Sequence, residues 1–176
     1  MWLRQAVART LVGVPTLLAL MDNTFYAAQV EGQSMQPLLN PSLEQRCNDV
    51  VLLSRLQKRS FAYSRGDVVV LTSPRDPRTS MIKRIIALPG DTVRPQPRFP
   101  GERLVLIPDG HVWVEGDHAG CSLDSNVHGP VPLGLVTAKA VAVIWPPSRW
   151  QAISSSFPAA RVLLHLSSIF ADEDDD

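Results

Sequence analysis

Ser34 lies in VEGQSMQPLLNP (30–41), between Gly32 and Pro37, where regular structure cannot easily continue. A serine there has two readings: a turn residue that bonds local backbone, or a nucleophile. GQSMQ comes near the GxSxG nucleophile elbow, but Gln36 stands at the second glycine, and that motif is rejected. A serine hydroxyl attacks only when a neighbouring base takes its proton. Arginine does not deprotonate in a protein, which leaves histidine, carboxylate or lysine. The lysines are Lys58, Lys83 and Lys139. Lys58 lies in polar LQKRS, and Lys139 sits in LVTAKAVAV at a position that fits an outward-facing strand residue. Lys83 is set in MIKRIIAL, flanked by Met81, Ile82, Ile85 and Ile86. Apolar burial favours the neutral amine; being half neutral near pH ~7.4 requires a fall of about 3 units from ~10.4, or about 4 kcal/mol, within reach of full burial. In a strand one of Lys83 and Arg84 faces in and the other out, and the sequence leaves open which. The rival base is a histidine: His118 and His128 stand near Asp117 and Asp124 in EGDHAGCSLDSNVHGP (115–130). A zinc reading would take His118, Cys121 and His128, but their spacing matches no strong zinc signature.

These residues need a scaffold, and past residue 29 the pattern is that of strands. β-Branched runs recur as DVVLLSRL (49–56), DVVVLTS (67–73), MIKRIIAL (81–88), HVWVEG (111–116) and AVAVIWP (140–146). RGD (65–67), PGD (89–91), PDG (108–110) and EGD (115–117) punctuate them, with glycine and aspartate supplying turns. The expected fold class is therefore all-β, mainly antiparallel. The proline-bearing 92–108 reads as an irregular connection. Residues 146–158 read as loop, RVLLHLSSIF (161–170) as a short helix, and ADEDDD as a solvated acidic tail.

The 176 residues carry 17 Lys plus Arg against 17 Asp plus Glu, so no basic field draws nucleic acid and none is expected as partner. Cys47 and Cys121 read as unpaired thiols. The start is acid-free up to Asp22, with Arg4 and Arg9 ahead of an apolar run from Thr10 to Met21. Extended through Phe25 to Ala28, the run reaches bilayer-spanning length. A membrane anchor, a cleaved or mitochondrial presequence, and a buried apolar helix all fit. As an anchor, Arg4 and Arg9 would hold the N-terminus on the positive side while the main domain crosses. The resulting division is an anchor or targeting segment 1–28, a β domain 29–150 and an extension 151–176.

The ordered motifs GQSMQP, RGDVV, IKRIIALPGD and GD…SLDSN…GP resemble the type I signal peptidases, a Ser/Lys-dyad family. VEGQSMQPLLNP, the Asp124-Ser125-Asn126 triplet and IWPPSRW resemble its mitochondrial inner membrane branch. The resemblance covers about residues 29–150. It implies a largely antiparallel β domain on an N-terminal transmembrane helix in the lipid bilayer. It implies Ser34 as nucleophile and Lys83 as general base, Ser122 bonding and orienting the amine, Asp124 supporting that loop, and Met35 lining the substrate groove. The dyad is a variant of triad logic, with the Ser34 N–H holding the oxyanion and no cofactor or metal. Two departures stand out: Gly32 replaces a serine that many bacterial members use as a second oxyanion donor, and Asn126 replaces a usual arginine. The segment 92–110 is also short for the large second subdomain of some bacterial relatives.

The implied function is removal of sorting presequences from proteins delivered to the mitochondrial intermembrane space, the catalytic domain facing that space. Inner membrane peptidase subunit 1 would be the heteromeric partner. A bacterial-type secretory signal peptidase is the rival enzyme, and a non-catalytic membrane-tethered β binding module the rival outside enzymes.

Overall fold

The computed structural model describes residues 24–41, 47–96 and 104–163. The expected anchor, apart from its last residues, lies outside them, as does most of 161–170. Among the described residues no helix is long and apolar enough to cross a membrane.

Among the described residues all strand pairs are antiparallel. The main sheet runs β1 (Phe25–Gln29), β2 (Val50–Ser54), β9 (Val136–Trp145), β3 (Val68–Thr72), β4 (Ser80–Ala87), β7 (His111–Glu115) and β8 (Val131–Pro132), with β10 (Gln151–Ala152) also on β9. A small second sheet joins β11 (Val162–Leu163), β5 (Thr92–Val93) and β6 (Val105–Leu106). Among the described residues, the single-turn helices α1 (Gln57–Ser60) and α2 (Ser125–His128) sit on connections. The five β-branched runs become β2, β3, β4, β7 and β9, because alternating Val, Leu and Ile pack on a pleated surface.

Three findings differ from the expectations. Phe25–Gln29 pairs with β2 in full register, so these residues belong to the sheet and not to the end of an apolar span. Val162 and Leu163 form a strand against Val93 and Thr92, not the start of a helix. Parts of 92–108 and 146–158 are short strands, not only loop.

The sheet is covered on both faces. Val68, Ala138, Ala140 and Val143 pack on one side with Val30, Met35, Leu39, Val51 and Leu53. Val69, Leu71, Ile85, Val112, Val114 and Val136 pack elsewhere with Tyr63 and Val131. Burying each Val, Leu, Ile or Met of these clusters stabilises by roughly 1.5–3 kcal/mol. A third cluster, with Ile86, Val93, Ile107 and Trp113, is closed by Val162 and Phe157.

Candidate active site

The Ser34 turn is held at both ends by one clasp. Asn40 Nδ2 donates to the Val30 carbonyl, and the Asn40 and Asp49 backbone amides each donate to the other's side chain. Asn40 adopts φ 50°, a left-handed conformation that asparagine tolerates. Arg149 adds Nη2 to the Leu38 carbonyl and an ion pair to Asp49. Gly32 has φ 84°, which a serine would adopt only under strain.

Strand β4 brings Lys83 to this turn. Lys83 is 4% exposed, and its Nζ lies 2.7 Å from Ser34 Oγ. Burial pushes the Lys83 amine below the usual lysine range, and the Asp124 charge opposes this only in part. The strand alternation holds, yet Arg84 is buried too, correcting the expectation that one of the pair faces solvent. On the other face Arg84 meets Asp117 through two hydrogen bonds of 2.8 and 2.7 Å and also donates to the Gly66 and Ser154 carbonyls. Lys139 pairs with buried Asp67 at 2.7 Å, which absorbs both that lysine and the RGD turn structurally. Lys58 is exposed.

The loop after β7 supplies the third wall. Gly116 is wedged so that a Cβ there would overlap both Ser122 Oγ and the Ser34 carbonyl oxygen. Its N–H donates to Asp124 Oδ2 at 3.0 Å, and the His118 N–H donates to the Ser34 carbonyl at 3.0 Å. Asp124 is buried and caps α2, its Oδ1 accepting from the Asn126 backbone and side chain. Ser122 is buried beside Gly116, but its hydroxyl has no hydrogen-bond partner, so the expected bond to Lys83 is not formed. Met35 is 1% exposed within the first core cluster and does not line the groove; the turn that presents Ser34 rotates the next side chain inward. The His118 ring makes no bond to Ser34, and its Nδ1 is buried without a partner. Burial, and then Arg75, hold His128 below the usual histidine range, against the pull of Asp124. Cys47 and Cys121 are free and exposed, and no metal-binding group of His, Cys, Asp or Glu occurs among the described residues.

Ser34 and Lys83 open into a cleft of about 410 Å³. Tyr26, Val30, Val51, Leu53 and Ile82 line it together with polar Gln29, Glu31 and Ser80. Among the described residues β1 is the edge strand of the main sheet, so one row of its backbone groups faces no described strand. A larger cleft, about 800 Å³, lies on the Arg84 side. Its three arginines, Arg84, Arg149 and Arg161, are each already paired with a carboxylate.

Sequence reasoning did not single out Gly116, Asn40, Glu115 or Arg161. EGD registers only as a turn, while the Asn40–Asp49 and Glu115–Arg161 contacts span separations of 9 and 46 residues that no local pattern marks.

The model of the family described as "Signal peptidase, peptidase S26" matches residues 3–98. Mitochondrial inner membrane protease subunit 2 of Danio rerio is 47% identical over 166 residues, covering 94% of this chain and 89% of that protein. The Mus musculus protein of the same name is 50% identical over 150 residues, 85% and 84% of the two chains. That of Saccharomyces cerevisiae is 44% identical over 138 residues, 78% and 77%.

Proposed function

The chain belongs to the signal peptidase S26 family, and from that premise we propose that Ser34 and Lys83 are its catalytic dyad, acting on presequences at the outer face of the mitochondrial inner membrane. It is a serine peptidase of that membrane. The observation that carries the dyad is the 2.7 Å approach of a buried, pKa-lowered lysine to a serine hydroxyl, both lining one cleft.

The chemistry follows from the neutral amine. Lys83 Nζ takes the proton of Ser34 as Oγ attacks the scissile carbonyl, and the Ser34 N–H faces the developing oxyanion. Lys83, now charged, returns the proton to the leaving amine, and the acyl group stays on Oγ until water, activated by the same amine, releases it. Asp124 holds the Gly116 amide and so the loop against Ser34. Ser122 Oγ, buried and unpartnered, is the hydroxyl available to orient Lys83 when substrate closes the cleft.

Substrate enters as an extended strand along the edge of β1, its small side chains packing in the cleft near the cut. The substrates are sorting presequences of proteins delivered to the intermembrane space. The relatives are named as a second subunit, which supports a heteromer with inner membrane peptidase subunit 1.

The test uses the detergent-solubilised heteromer and a presequence peptide that subunit 1 alone does not cut. Ser34→Ala and Lys83→Ala should each reduce cleavage to about 10⁻³ of wild type or less. Wild-type activity should rise with pH through an apparent pKa below ~10.4. Either variant retaining wild-type cleavage removes that residue from the mechanism.

A further inference from the structure

A buried carboxylate behind the dyad is satisfied from an unexpected direction. Glu115 ends β7 and is 3% exposed. It pairs across the sheet with Arg84, so its side chain lies on the face turned away from Lys83. Five donors converge on it. Trp113 Nε1, Asn126 Nδ2 and Arg161 Nη1 reach Oε1 at 2.9, 3.1 and 3.1 Å, while Gln96 Nε2 and Arg161 Nη2 reach Oε2. Only Arg161 among them carries charge. It comes from the segment after residue 150, and the Arg94 amide donates to its backbone carbonyl, which keeps it in place.

The contacts continue toward the site. Asn126 Nδ2 donates both to Glu115 Oε1 and to Asp124 Oδ1, at 3.1 and 3.0 Å, so one amide bridges two buried carboxylates. Its Oδ1 accepts from the Gln96 N–H, which fixes the amide's orientation. Asp124 then holds the Gly116 N–H, and Gly116 is the residue wedged between Ser122 and the Ser34 carbonyl. Two buried carboxylates sharing one amide repel unless a cation offsets one of them.

We propose that Arg161 is a positioning residue for the dyad: it neutralises Glu115, so that Asn126 and Asp124 keep the Gly116 loop seated against Ser34. The proposal rests on the assignment of Ser34 and Lys83. It gives the C-terminal segment a role in catalysis without any contact with substrate. Arg161 should act on kcat more than on KM, because neither it nor Glu115 lines the cleft at Ser34 and Lys83. With Glu115 uncompensated, the added negative charge behind Asp124 should also hold Lys83 protonated to higher pH. The groups around Glu115 are Arg161 from the C-terminal segment, Gln96 from the 92–96 connection, Asn126 from α2, Trp113 from β7 itself and Arg84, already bound to Asp117, from β4.

The test compares Arg161→Gln, the double variant Arg161→Gln/Glu115→Gln and wild type in the same peptide-cleavage assay, with thermal unfolding of each. Arg161→Gln should lower kcat roughly 10- to 100-fold with KM within about twofold, and move the acid limb of the pH–rate profile upward. Removing the stranded carboxylate in the double variant should recover most of the lost kcat and return the limb to its wild-type position. Wild-type kcat in Arg161→Gln overturns the proposal, and so does a kcat loss that Glu115→Gln leaves in place. These outcomes are distinct from failure of the dyad assignment, which appears only as cleavage by Ser34→Ala or Lys83→Ala.

Discussion

Lys83 is held where a lysine is least comfortable, and this has a thermodynamic signature. Its amine titrates below the usual range in the fold because burial penalises the charged form. The unfolded chain therefore binds the extra proton over the window between the folded and the unfolded value, ~10.4, and stability rises with pH across it. Below that window Lys83 is charged in both states, and its full burial penalty weighs on the fold. Lys83→Met, similar in length and uncharged, should abolish cleavage yet stabilise the protein near neutral pH by about 0.5–2 kcal/mol. The gain should fade as pH passes ~10.4. Thermal unfolding of the two proteins against pH measures this, and a destabilised Lys83→Met at neutral pH would refute it. Met81, Ile82, Ile85 and Ile86 made burial of this stretch legible from sequence, but not which of Lys83 and Arg84 turns toward Ser34; the family resemblance supplied that choice. The fate of Met35 was not legible, since its direction depends on a turn closed by Asn40 and Asp49. Arg84 was misjudged because the argument assumed one solvated sheet face, whereas both faces of β4 are covered.

At the scale of elements, runs of five or more residues with β-branched alternation were readable, and those are β2, β3, β4, β7 and β9. The pairs β5, β6, β10 and β11 are two residues each, too short to show any period. β1 escaped because Phe25–Gln29 continues an apolar run, and apolarity over so few residues does not separate helix from strand. The turn entering β3 shows how such small elements still matter. Gly66 has φ 89°, and a Cβ there would meet Ser155 C and Ser156 N at 2.7 Å, both backbone atoms. The C-terminal segment thus lies directly on this glycine, and Ser155 Oγ donates to Asp67 Oδ1 at 2.7 Å. Gly110 has φ 71° with open space around its position. Gly110→Ala should then cost only the backbone term, about 1–2 kcal/mol, while Gly66→Ala should cost about 2–4 kcal/mol and open residues 153–158 to protease. Denaturant unfolding and limited proteolysis separate the two. Equal costs would mean that the close approach at Gly66 relaxes freely.

For the whole molecule, residues 153–163 act less as an appendix than as the last wall. Ile153 packs on the first core cluster, Phe157 and Val162 on the third, Ser154 caps Arg84, and Arg161 compensates Glu115. A chain ending at Ala152 would expose the apolar side of Val93, Ile107 and Trp113 and leave Glu115 buried without its cation. Loss of Val162 burial and of the Glu115 partner together should cost about 4–6 kcal/mol, roughly 10–20 °C in Tm near pH 7. The acid dependence identifies the electrostatic part. In the full chain, burial pushes the Glu115 carboxyl up, but hydrogen bonds from Arg161, Trp113 and Gln96 and the charge of Arg161 bring it below 4.5. A depressed carboxyl contributes stability above its unfolded pKa and loses it as pH falls through its folded value. In the shortened chain Glu115 keeps the burial and loses the cation, so it is most costly when ionised and least when protonated. The Tm gap between full-length and shortened proteins should therefore begin to narrow above the ordinary carboxylate range, as the raised Glu115 of the shortened chain takes up its proton, and go on narrowing as pH falls through ~4.3 and the full chain loses its ionised Glu115. A gap that stays constant from neutral to acid would assign the C-terminal wall to apolar burial alone, and one near zero at pH 7 would make the segment dispensable to the fold.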